Sequence, residues 1–429
     1  MKKLTVHSEK RYLMWDDGTP FFYLGDTAWE LFHKLTKEEI QRYLNTRKKQ
    51  GFNVIQAVAL SEMDGLTTPN AYGRFPLLKK DGYYDPTSPD EDDAGYDYWQ
   101  HIDYTIRMAM ERDMFIGLLP TWGDKYNLKQ GTGPEIFDKY NAYLYGKWIA
   151  GRYKDHWNII WILGGDRPLE NKKHEEIIDE MARGIREVDQ NHLITFHPSG
   201  AHSSVEFVAD KDYIDFHMIQ SGHALESYDS YLMLRNAAQK ENKPYMDGEP
   251  RYEDHPACFK TEMGYFWKAD DIRHNAYWNI MEGACGHTYG NHSIWSFNTK
   301  RQEYWPYTWK EVLEHEGANE VQYVKKLRLS RNYFDFHPAP ELIADHAKGL
   351  AYQCAGKGSD YAFIYTPLGL PINANIERMG SDIIKASWFN PRTGEEQVYK
   401  ILPAKNTCFV PPSYGPGNDW VLILDCMNI

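Results

Sequence analysis

Eight short apolar runs, each followed by a longer stretch, constrain this chain more than any other feature of it. The runs are 21–25, 52–60, 114–120, 158–163, 193–197, 214–220, 244–247 and 287–295. They are rich in Ile, Val, Leu, Phe and Tyr and short enough to be strands. Helical periodicity covers 36–51, 98–113, 134–153, 174–189, 228–242 and 269–283. The first of these opens with Thr36 and Glu39 spaced as a capping box and stops at Gly51. A weaker helical pattern lies between Val205 and Ile214, and a last one runs over 309–331. Strand–helix alternation predicts parallel pairing. Eight such units predict a (β/α)8 TIM barrel over residues 1–338. An open doubly wound sheet is the competing architecture, but no GxGxxG or GxxxxGK[ST] follows any run.

The texture changes near Ala339. Helical patterns stop, and short alternating runs (349–356, 360–367, 383–390, 419–426) are separated by Gly, Pro, Asn and Asp. The segment 390–396 reads as a hairpin turn. Residues 339–429 are therefore predicted to form a small C-terminal β-sandwich domain.

Charge narrows the partners. A net charge of −13 repels phosphate backbones and anionic lipids, so neither nucleic acid nor a membrane surface fits; a neutral partner does. No apolar run reaches the ~18 residues of a membrane span. Five cysteines with no close pair indicate neither a disulfide framework nor a zinc site. No apolar leader segment is present, so the chain is cytoplasmic, or periplasmic or secreted if a signal peptide was removed; the sequence leaves both open, as it does the oligomeric state. The 14 Trp and 31 Tyr are mostly core material, but such rings also suit the C–H faces of sugars.

In barrels, chemistry sits at the C-terminal ends of the strands. Here those ends carry Asp26 and Trp29, Glu62 and Asp64, Trp122 and Asp124, Asp166 and Arg167, His197, Gln220 and His223, Glu249, and Tyr289, His292 and Trp295. Polar or aromatic groups on all eight strands suggest a ring around a polar ligand, and a carbohydrate substrate suits it. Two carboxylates stand out. Asp166 follows an apolar strand and a Gly-Gly corner, and Glu249 follows Gly248. Glycosidic cleavage uses one carboxylic acid to protonate the leaving oxygen and one carboxylate opposite it; in retaining enzymes the two lie about 5–5.5 Å apart. Residues on strands 4 and 7 can face each other across a barrel mouth. The bland alternatives are a helix cap for Asp166 and an ion pair with Arg251 for Glu249.

The segments YLGDTAWELFHKL, GFNVIQAVAL, WILGGDRP, MDGEPRYE and GHTYGNHSIW together resemble the apiosidase-like glycoside hydrolases, and the resemblance spans nearly the whole chain. It implies a barrel with a C-terminal domain often labelled as collagen-binding. It also implies a retaining hydrolase with the acid/base on strand 4 and the nucleophile on strand 7. Those roles fall on Asp166 and Glu249. One departure matters: many relatives in the wider clan carry Asn-Glu at the end of strand 4, where this chain has Gly165-Asp166.

The remaining strand-end residues are expected to bind substrate: Asp26, Trp29, Glu62, Trp122, His197, Gln220, His223, Tyr289, His292 and Trp295. No cofactor is expected. His287 and His292, five apart on one predicted strand, would face opposite sides, and no HExxH or Asp-rich loop occurs, so no metal is expected. The sequon Asn291-His292-Ser293 reads as coincidental. Two other functions compete. A catalytically silent carbohydrate-binding barrel would not need both carboxylates. An aldolase or isomerase acting on phosphorylated sugars would need a Gly-rich phosphate site or a Schiff-base lysine at strands 7 and 8.

Overall fold

The computed structural model describes residues 3–92, 94–225 and 229–427. Eight parallel strands form its centre: β1 (Tyr23–Thr27), β2 (Val54–Leu60), β3 (Phe115–Thr121), β4 (Ile159–Gly164), β5 (Ile194–His197), β6 (His217–Gln220), β7 (Tyr245–Asp247) and β8 (Gly286–Tyr289). They pair in the order β5-β4-β3-β2-β1-β8-β7-β6, with the short strand His202–Ser203 antiparallel beyond β6. The sheet curls until β5 meets β6, and this seam closes without a regular ladder. Asp215 N donates to Ile194 O at 2.8 Å, Ile194 N donates to Asp215 Oδ2 at 2.7 Å, and Thr195 Oγ1 donates to Phe216 O at 2.7 Å.

Burial explains the sequence texture. All seven residues of β2, all seven of β3 and all six of β4 are buried, as strands covered on both faces must be. The helices between them are α1 (Lys37–Lys49), α2 (Tyr98–Met110), α3 (Lys139–Tyr153), α4 (Lys172–Val188), the single turn α5 (Val205–Val208), α6 (Ser230–Lys240) and α7 (Ala269–Met281). The Thr36–Glu39 capping box is present at α1. Tyr228, the first residue of the predicted sixth helix, lies outside the described residues. The last predicted run is shorter than its apolar pattern. Only Gly286–Tyr289 is strand, because Asn291 starts a turn, accepting from Ser293 N on its side chain and from Ile294 N on its carbonyl.

Two small sheets are among the additions with no counterpart in the predicted elements. Three short antiparallel strands, Leu4–Val6, Leu13–Trp15 and Pro20–Phe21, precede the barrel. A hairpin, Leu77–Lys80 with Tyr83–Pro89, rises from the loop after β2.

Beyond the barrel, β9 (His337–Pro338), β10 (Cys354–Lys357), β11 (Tyr361–Thr366), β12 (Ile372–Ala374), β13 (Ile383–Phe389), β14 (Glu396–Pro403), β15 (Thr407–Phe409) and β16 (Trp420–Met427) follow. Six of them form an antiparallel sheet in the order β9-β10-β11-β16-β13-β14, and β12 and β15 pair as a ribbon. Alternation sorts the side chains. Ala362, Ile364, Leu422 and Leu424 share a core with Ile372 and Phe409 of the ribbon. Phe363, Tyr365, Val421 and Ile423 belong to the barrel's core instead. The second layer of the predicted sandwich is thus only two strands, and the sheet's other face is covered by the barrel. Tyr277 of α7 stacks on Tyr365 at 5.0 Å, and Arg273 of α7 pairs with the buried Asp419 at 2.7 Å.

Candidate active site

A cavity of about 970 Å³ opens at the C-terminal ends of the barrel strands. Its floor depends on two sharp turns. At the end of β4, Gly164, Gly165 and Asp166 have φ of +89°, +108° and +55°, three left-handed residues in a row. A Cβ on Gly164 would lie 2.4 Å from His197 O, and one on Gly165 would lie 2.8 Å from Gly123 N. Only glycine fits at the first two, and aspartate is among the few side chains that adopt the third at modest cost. Asp166 is no helix cap: Asn171 caps α4. Its carboxyl lines the cavity, with Arg167 Nη1 2.8 Å from Oδ2 and the Gln220 side chain hydrogen-bonded to it. Arg167 is anchored in turn by its Nε, which donates to Gln130 O at 2.9 Å.

After β7, Asp247 organises the chain around Glu249. The buried Asp247 carboxylate accepts from Ser221 Oγ at 2.6 Å and from Asn279 Nδ2 of α7 at 3.0 Å. It also accepts from the backbone N–H of Ser221 and of Glu249, both at 3.3 Å. The loops after β6 and β7 are thereby tied together. Glu249 projects into the cavity, where His223 Nε2 meets Oε1 at 3.1 Å and His197 Nε2 stands 3.2 Å from Oε2. The Arg251 guanidinium lies over Trp267, 4.7 Å from the ring centroid.

The two carboxyl groups sit in opposed environments. Burial raises Asp166 above the usual carboxylate range, and the charge of Glu249 raises it further, against Arg167, His197 and Gln220. Burial also works to raise Glu249, but hydrogen bonds and charge from His197 and His223 outweigh it and hold this carboxyl low. A third carboxyl, Glu62, lines the same cavity and is pushed well up by burial, then by Glu30 and Asp166. One group biased toward the acid and one toward the carboxylate, facing one cavity, can donate a proton and supply a nucleophile or base.

Most of the residues expected to bind substrate meet here. Trp29, Glu62, Trp122, Gln220, His223, His292 and Trp295 line the cavity. His197 lies beneath it, fully buried between Trp29 at 5.3 Å and Trp122 at 6.1 Å. Two more, besides His197, lie outside the lining. Asp26 is fully buried as the partner of Arg47 Nε at 2.5 Å and of the Tyr43 hydroxyl. Tyr289 is fully buried and donates to Glu253 Oε2 at 2.6 Å. Both hold the barrel wall together, so strand-end position alone misplaces them. His292 lies in the turn rather than on a strand, its Nε2 2.9 Å from Tyr304 O. Asn291 of the sequon is fully buried and donates to Asp254 Oδ2 at 2.7 Å.

Among the lining residues to which the sequence assigns no role are Arg167, Tyr252, His255 and Phe259. Tyr252 is the most telling. Its hydroxyl, held well above the usual phenol range by burial and then by Glu249, sits beside that carboxylate. The only sequence signal for it was its place three residues after Glu249 in one motif.

The lining offers unpaired polar atoms to a ligand. Trp122 Nε1, Ser199 Oγ, Gln220 Oε1, His223 Nδ1 and His292 Nδ1 are buried with no hydrogen-bond partner among the described residues. Buried polar atoms without partners are costly, so a cavity rich in them is suited to a hydroxyl-bearing ligand. No group of three or more His, Cys, Asp or Glu side chains among the described residues could hold a metal ion. No helix among them is long and apolar enough to cross a membrane.

Residues 7–335 match the family model described as "Apiosidase-like, catalytic domain". Residues 337–425 match one described as "Putative collagen-binding domain of a collagenase". A comparison with curated proteins finds no match. Among solved structures, a glycoside hydrolase family 5 protein from Bacteroides vulgatus ATCC 8482 is 30% identical, covers 99% of this chain and 94% of its own, and superposes with a TM-score of 0.91. A second, described as "Glycoside hydrolase", is 31% identical over 99% of this chain and 97% of its own, with a TM-score of 0.90. The chain therefore belongs to the apiosidase-like family and is an enzyme of the glycoside hydrolase class.

Proposed function

We propose that the chain is a retaining glycosidase acting on a neutral, plant-type oligosaccharide or polysaccharide, with Glu249 as nucleophile and Asp166 as acid/base. The observation that carries this reading is the unequal treatment of the two carboxyl groups. Glu249 takes two imidazole nitrogens at 3.1 and 3.2 Å and stays ionised, while its charge and burial favour the protonated form of Asp166. In the first step the Glu249 carboxylate attacks the anomeric carbon while the proton of Asp166 passes to the leaving oxygen. In the second, Asp166 takes a proton from water, and that water displaces Glu249 from the sugar. The unpaired lining atoms supply hydrogen bonds to the ring hydroxyls, and the net charge of −13 agrees with an uncharged substrate.

The test is a pair of substitutions read on two leaving groups. Glu249→Gln should lose nearly all turnover on every substrate. Asp166→Asn should be slow on natural glycosides and far less impaired on aryl glycosides with very acidic leaving groups, which need no proton. Equal damage on both substrate types would remove Asp166 from the acid role. The anomer first released, read by proton NMR, decides the stereochemistry: an inverted product makes Glu249 the base that activates water. A chain that binds sugars yet cleaves none of a panel of plant oligosaccharides would be a silent binding barrel instead.

A further inference from the structure

The cavity wall near Glu249 contains one aromatic residue that its surroundings do not explain. Trp29, Trp122 and Tyr252 are almost completely buried, whereas Phe259 on the same wall is 56% exposed. Among the described residues, every other aromatic of the lining is buried or partly buried. An apolar ring left open on a cavity wall gains nothing from burial until something covers it.

The backbone is also held in an unusual shape to keep it there. Cys258 and Phe259 have φ of +56° and +63°, successive left-handed residues that are not glycine. For a bulky side chain this is a genuine outlier, and such strain persists only where the surroundings enforce it. They do: Phe259 N donates to Pro256 O at 3.0 Å, Lys260 N to Ala257 O at 3.1 Å, and Ala257 N to Tyr265 O at 2.9 Å. The ring then stands nearly perpendicular to His255, centroids 4.8 Å apart, and steeply inclined to His223 at 5.8 Å. His223 is the residue that contacts Glu249. Phe259 is therefore one ring away from the reacting centre.

We infer that Phe259 is a binding platform for the unit adjoining the sugar at Glu249, a flat ring with an apolar face. That unit is either a second sugar or an aromatic aglycone; both present the chemistry that an open phenyl ring covers. The inference rests on the glycosidase reading only for the position of the first sugar.

The test is calorimetric titration of the wild-type chain, Phe259→Ala and Phe259→Trp with matched methyl and phenyl glycosides of the common plant sugars and with their disaccharides, run beside hydrolysis assays. In the wild type the phenyl series should bind about tenfold more tightly than the methyl series. Phe259→Ala should erase that ratio while leaving methyl glycosides unchanged, and Phe259→Trp should restore it. If the disaccharides respond like the phenyl series, the occupant is a sugar; if only the phenyl series responds, it is an aglycone. An equal ratio in wild type and Phe259→Ala, or no binding of any member, overturns the platform. Loss of hydrolysis with the ratio intact would instead overturn the glycosidase reading alone.

Discussion

His223 Nε2 meets Glu249 Oε1 at 3.1 Å, from a loop that belongs to the neighbouring strand. With His197 on the other oxygen, Glu249 is a carboxylate whose charge is stabilised from two elements at once. The proposed mechanism uses that carboxylate ionised, so kcat/KM should rise with pH as Glu249 loses its proton, with a limb below the ordinary glutamate value of about 4.3. His223→Ala removes one donor and should move the acid limb upward by roughly one pH unit. The opposite limb, set by ionisation of Asp166, should move less, since His223 is not among the groups that chiefly perturb that carboxyl. A pH–rate profile over pH 3–9 checks it; an unmoved acid limb with a merely lower plateau would mean His223 only packs.

The turn that carries Asp166 should resist change. Alanine at Gly164 would place a Cβ 2.4 Å from His197 O in a φ of +89°. The left-handed conformation alone costs ~1–2 kcal/mol per residue for non-glycine, and the clash adds to it. Thermal denaturation should show Gly164→Ala destabilised by at least that amount, and activity should fall further because Asp166 is carried by the same turn. A variant as stable and as active as wild type would contradict the assigned geometry.

Gly290 is required for a different reason. A Cβ there would fall 2.1 Å from Cδ1 of Tyr252. Gly290→Ala should push the Tyr252 ring off Glu249 and lower kcat more than it raises KM. Tyr252→Phe keeps the ring and loses only the hydroxyl, so comparing the two variants separates the ring's position from its proton. Identical kinetics for Gly290→Ala and wild type would remove Tyr252 from the site.

Asp419 should hold the C-terminal sheet to the barrel. It is fully buried and accepts from Arg273 at 2.7 Å, with Arg392 and Tyr365 also within reach. Burial works to raise its carboxyl, but Arg273 outweighs that and holds it below the usual range. Removing one partner of such a pair costs about 3–5 kcal/mol. Asp419→Ala should therefore lose several degrees in Tm at pH 7. The sign of the pH effect follows from a depressed carboxyl: its contribution is present above an unfolded pKa of about 3.9 and lost as pH falls through the folded value. The gap in Tm between wild type and Asp419→Asn should narrow below about pH 4.

The barrel was legible because burial on both faces leaves unbroken apolar runs, and β2, β3 and β4 lie within two residues of the runs that forecast them. The hairpin after β2 has its own sequence signal: Asp81 and Gly82 take φ of +52° and +87°, the pairing that a two-residue Asp-Gly hairpin loop favours. Asp26 and Tyr289 fared worse, because a strand end says where a side chain starts and not that Arg47 or Glu253 waits for it. Phe259 left no trace at all. Its segment has no period, and the left-handed pair Cys258 and Phe259 lacks the glycines that would announce it.

Helix α7 has one further consequence. On one side it offers Arg273 and Tyr277 to the C-terminal sheet, and on another Asn279 to the Asp247 carboxylate that fixes the loop of Glu249. A single rigid rod thus has its two sides committed to different neighbours. The C-terminal sheet is not a portable module that can be trimmed away or exchanged between relatives like a tag. Grafting a foreign one would require matching the socket on α7, and any misfit there would be transmitted along about two turns of helix to the loop of Glu249.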